Sequence, residues 1–101
     1  MSFRRRHFAE LVQRQLDLFA QEQAELLAEL DDAERAYDAA DREDAEDAYA
    51  DVQLILDAGA DALVDVRDSY AATLDPELGA EYAKTFAHTA SRRFPRFTSL
   101  L

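Results

Sequence analysis

The chain has 101 residues, of which 49% are apolar and 33% charged, and a formal net charge of -11 from 22 acids and 11 bases. That length allows one domain with a core but a large surface, and so high an apolar share excludes compositional disorder. With no cysteine in the chain, disulfides, thiolate metal sites and a cysteine nucleophile are excluded.

Only two glycines and two prolines interrupt the sequence, while alanine, leucine, aspartate, glutamate and glutamine dominate it. This is a helical composition, and the expected fold class is all-α. The start, MSFRRRHFAELVQ, is basic, but no apolar stretch follows as in a signal peptide. Apolar runs elsewhere are only a few residues long, too short for a membrane span. The expected location is therefore cytoplasmic, with no membrane partner. The surface is dense in carboxylates, as coding from a GC-rich genome or adaptation to a high-salt cytoplasm would make it. Such a body repels nucleic acid, which argues against a nucleic-acid partner.

The first helix is expected over about 3–40. At 100° per residue, Phe8, Val12, Phe19, Leu26, Leu30, Ala33 and Tyr37 form one stripe, widened by Leu11, Leu16, Leu18 and Leu27. Gln15 and Glu22 fall inside this stripe seven residues apart, and as a polar pair in a helical seam they would fix register. Arg67 is placed to reach Gln15.

DAADREDAED (38–47) separates that stripe from a second one, in a helix over about 43–74: Ala45, Ala48, Val52, Leu56, Gly59, Leu63, Val66, Tyr70 and Leu74. A single rod would leave both stripes in water. A reversal near Asp41 to Asp44, with Asp38 or Asp41 capping the second helix, zips them into a long antiparallel hairpin. Large residues then meet large ones, and the alanines gather near the turn.

A third helix starts at LDPELGAEY, with Asp75 as N-cap and Pro76 as first helical residue, and runs to about Ser91. Leu78, Tyr82, Phe86 and Ala90 face inward; Glu81, Lys84, His88 and Arg92 face out. Phe94–Pro95 ends it, leaving a tail over 92–101. The whole chain is thus expected as a single helical domain over 1–101. Because the third helix is about half as long as the hairpin, the turn end stays thinly covered. Tyr37, Tyr49 and Leu54 are the candidate oligomer contacts there, and an antiparallel homodimer forming a four-helix bundle is the simplest assembly.

The tail, SRRFPRFTSLL, admits two readings. Folded back, Phe94, Phe97, Leu100 and Leu101 cover the hairpin, and Arg92, Arg93 and Arg96 lie over its acid rows. Free, it is a basic-aromatic strip that inserts into a groove on a protein partner or stacks on single-stranded nucleic acid. Arg4, Arg5 and Arg6 would join the same patch if the two ends of the chain meet.

Little in the sequence points to catalysis. His7, Glu10 and His88 are too few to form a metal site, and no Glu-x-x-His pair of the di-iron bundle type occurs. No cofactor is expected. In length and helix count the chain is similar to the all-helical chorismate mutases, and YDAADRE (37–43) resembles that family's Tyr-Asp-Pro-x-Arg-Glu loop, with one residue more and no proline. The resemblance would imply a dicarboxylate pocket of Arg and Lys carried by the helices. The helix interiors offer only Arg14, Arg35, Arg67 and Lys84 for it. The expected function is that of a non-catalytic helical interaction or structural protein that self-associates through its hairpin. The alternatives are a binder of anionic or protein partners through the basic ends, and a small helical enzyme.

Overall fold

A computed structural model describes residues 2–100, with side chains from 8 to 98. It is all-α: α1 (Ser2–Glu22), α2 (Ala24–Ala39), α3 (Ala45–Ala71), α4 (Pro76–Arg93) and a terminal 3-10 segment, Pro95–Leu100, here called the tail helix. The molecule measures 53 × 21 × 20 Å, and its radius of gyration of 16.0 Å exceeds the roughly 13 Å of a compact chain this long.

The expected first helix is two helices. Gln23 has φ -105° and ψ 24°, outside helical values, although its N–H still reaches Phe19 O at 2.8 Å and its carbonyl accepts from Leu27 N at 2.9 Å. Neither proline nor glycine marks the break. Its physical reason lies in packing: α1 lies against α4, whereas α2 lies against α3. The chain bends where it changes partner.

Between α2 and α3 the backbone becomes extended at Ala40, and Asp41 organises the next turn. Its carbonyl accepts from Asp44 N and Ala45 N, and its carboxylate accepts from Asp44 N at 3.2 Å. These bonds satisfy N–H groups that a helix start leaves open. The N-cap position itself falls on Asp44, whose side chain makes no capping bond, so neither Asp38 nor Asp41 is the cap expected. Asp75 caps α4 through its side chain, which accepts from Leu78 N at 3.0 Å, with Pro76 following as first helical residue. Arg92 and Arg93 sit in the last turn of α4, where cations suit the negative end of the helix.

The core is formed by Phe8, Val12, Leu16 and Phe19 of α1, Leu30 of α2, Val52, Ala60 and Leu63 of α3, Tyr82, Phe86 and Ala90 of α4, and Phe97. Phe8 meets Tyr82 with ring centroids 5.9 Å apart, and Phe19 meets Phe94 at 5.1 Å. Both residue numbers rise together, so α1 and α4 run parallel. Together with α3 they make a three-helix end. Beyond the bend at Gln23 only α2 and α3 continue, with the tail helix laid against α3.

Candidate interaction surface

The tail is seated rather than free. Phe97 is fully buried, its ring 6.4 Å from that of Phe19 and pressed onto the backbone of Gly59. Phe94, half-buried, packs edge-on against Phe19, and the guanidinium of Arg93 lies 5.5 Å from the Phe94 ring centre. Arg93 also binds Asp17 at 2.7 Å and the Gln13 carbonyl at 3.3 Å. Arg96 reaches past the bend to Asp31 and Glu34 of α2, both at 2.8 Å. Four of the candidate partner-binding residues, Arg93, Phe94, Arg96 and Phe97, are thus engaged within the molecule, while Arg92 is exposed.

The side chains of Arg4, Arg5, Arg6 and His7 lie outside the described residues, as does Leu101. The expectation that they join the basic tail in one patch therefore falls outside the described residues. The α1 turn at Phe8 is level with Tyr82, and the Arg93–Phe94 step is level with Asp17 and Phe19. Eleven residues of helix, about 16 Å, separate those levels.

The expected polar pair also separates. Gln15 is half-buried and accepts a hydrogen bond from the Tyr82 hydroxyl at 2.8 Å. Glu22 is exposed, on the last turn of α1, beyond the level of Asp17 and Phe19 where α4 ends. Arg67 binds Asp68 at 2.8 Å instead of Gln15. Burial pushes the Tyr82 phenol up from its ordinary value, a shift partly offset by the Gln15 bond. The acid is held neutral among Phe8, Tyr70 and Phe86, all within ring contact. Its role is to join α1 to α4.

Arg14, Arg35 and Lys84 are exposed, and Arg35 pairs with Asp32 on the same helix. His88 is exposed, and among the described residues no three His, Cys, Asp or Glu side chains converge as metal ligands. No helix among the described residues is long and apolar enough to cross a membrane.

Apolar surface is left at the two-helix end. Tyr37 is 41% exposed, Tyr49 51% and Leu54 69%, and the two tyrosine rings touch at 5.7 Å. Tyr37 follows Glu34 by three residues, one turn further along the side that Arg96 grips. The layer formed by α4 and the tail therefore stops one turn short of the tyrosine pair. Leu54 departs from the expected grouping. It is five residues beyond Tyr49, about 140° around α3, and so lies on another face. Leu18 of α1, expected at the flank of the buried stripe, is 52% exposed.

Charge divides along the same line. Residues 24–59 carry 13 acids and two bases, a net charge of -11; the rest of the chain carries nine acids and nine bases. Apart from the charge of Arg96, which the tail lays on Asp31 and Glu34, the net charge of the protein thus resides in this end. The signal was present in the sequence, but it becomes meaningful only once the bend at Gln23 and the seat of Phe97 at Gly59 define the two ends.

No protein-family model matches this chain, and no curated protein or solved structure is significantly similar to it.

Proposed function

We propose that this chain is a non-catalytic helical interaction protein that works as a homodimer. In this reading α1–α2 and α3 form one long antiparallel hairpin, α4 and the folded-back tail cap one end of it, and the uncapped turn end self-associates. The cytoplasm is the proposed location.

The supporting observation is the Tyr37–Tyr49 pair, exposed one turn beyond the last residue that the tail holds. Around it Ala33, Ala40, Ala45 and Ala48 are only half-buried. Removing such a surface from water is favourable at about 25 cal/mol per Å² of apolar area. In a two-fold pair each copy covers this surface on the other.

The rival reading, a basic-aromatic peptide offered to an anionic or protein partner, requires Phe97 to leave its buried seat. It also requires Arg93 and Arg96 to give up their carboxylates. Sedimentation of the purified chain across micromolar concentrations tests the proposal. A dimer supports it, and a monomer throughout contradicts it.

A further inference from the structure

Two observations bear on how a second copy would lie. The layer of α4 and the tail runs past Gln23 as far as Glu34 and ends one turn before Tyr37 and Tyr49. Residues 24–59, whose far end is the bare one, carry a net charge of -11, whereas the rest of the chain is neutral. A copy docked turn to turn would cover both tyrosine pairs but press two ends of charge -11 together. A copy docked in the same direction would do the same along the whole length of α2 and α3.

We infer that two copies lie antiparallel on this face, the three-helix end of each covering the Tyr37–Tyr49 end of the other. This inference rests on the self-association proposed above. Each acidic end then meets a neutral one, and the two acidic ends are held apart by the length of the molecule. The three-helix end also offers exposed cations on its outer surface, Lys84 and Arg92 on α4 and Arg14 on α1.

The lengths agree with such an overlap. At 1.5 Å per residue, α1 spans about 31 Å and α2 about 24 Å. The two ends are therefore comparable, and a half-turn about an axis near Gln23 lays one on the other. The first turns of the second copy's α4 would cover the stretch beyond Glu34 that the tail leaves bare. The assembly would close on itself, since both copies use the same surface.

The chain contains no cysteine, so single cysteines can report the arrangement without background. Arg42→Cys marks the turn and Glu77→Cys the start of α4; both positions are exposed. Spin labels on Arg42→Cys should stand far apart in the dimer, towards the 53 Å length of one molecule. Mixing the two variants under oxidation should give Arg42–Glu77 cross-links, with few between two copies of Arg42→Cys. A dimer with the Arg42 labels close together overturns the antiparallel arrangement and leaves self-association standing. A monomer of 11.4 kDa for both variants and the unmodified chain overturns both. So does a monomer whose tyrosine end binds a lysine-rich amphipathic helix, which would assign that face to a foreign basic segment.

Discussion

The ring of Phe97 fills the space that a side chain at residue 59 would need: a Cβ placed on Gly59 falls 2.6 Å from Cζ and 2.9 Å from Cδ1 of that ring. Gly59 has ordinary helical geometry, with no positive φ, so the glycine serves close approach and not backbone freedom. Gly59→Ala should therefore destabilise the protein, because about 1–3 kcal/mol of overpacking outweighs the ~1 kcal/mol gained in helix propensity. In a Phe97→Ala background the same change should become stabilising. Chemical denaturation of the four variants reads the change of sign directly.

Phe97 and Arg96 are neighbours with unequal roles. Removing the fully buried ring by Phe97→Ala should cost about 3–5 kcal/mol. Arg96→Ala breaks two ion pairs but should cost about 0–1 kcal/mol, since Arg96, Asp31 and Glu34 are all well solvated. Truncation after Ser91 should lower thermal stability at least as much as Phe97→Ala. If truncation left the melting temperature unchanged, the tail would be no part of the packed structure.

Tyr82 supplies a pH dependence whose sign follows from its burial. The folded state holds this phenol above 10.0, chiefly by desolvation. Its contribution to stability is therefore complete below the unfolded value and is lost as pH rises through the folded one. Ultraviolet titration should show a phenolate component above the ordinary tyrosine range that is missing from Tyr82→Phe. That variant should also lose about 0.5–1.5 kcal/mol at neutral pH, because Gln15 is left half-buried without its donor.

Much of this architecture is legible in local sequence because local chemistry decides it. Asp75–Pro76 marks the start of α4 wherever the helix packs, and the spacing of Tyr82, Phe86 and Ala90 sets its buried face. The break at Gln23 is not legible in this way. It contains no helix breaker and follows from a change of packing partner. Glu22, still within α1, lies on the side of the stripe toward exposed Leu18 and beyond the level of Asp17 and Phe19 where α4 ends, which a wheel cannot show. Gly59 carried a usable signal. It is the only glycine in an alanine- and leucine-rich helix and lies on the buried stripe, where a missing Cβ suggests close approach. What approaches it is a residue 38 positions later, which no local pattern identifies.

Ionic strength should separate the forces at the two ends. Salt screens the repulsion between acidic ends, so a turn-to-turn dimer would tighten steeply as salt rises. For the antiparallel pair the dissociation constant should change little between low and physiological ionic strength. Sedimentation equilibrium in a salt series gives that slope, and steep tightening would contradict the antiparallel arrangement.

The most direct measurement is the mass of the chain in solution, by light scattering at micromolar concentration, beside that of a Tyr37→Glu, Tyr49→Glu double variant. The unmodified chain should scatter as twice 11.4 kDa and the variant as 11.4 kDa with its helical content retained. An unmodified chain that stays at 11.4 kDa, or a variant that remains dimeric, would show that the exposed tyrosine end does not bring two copies together.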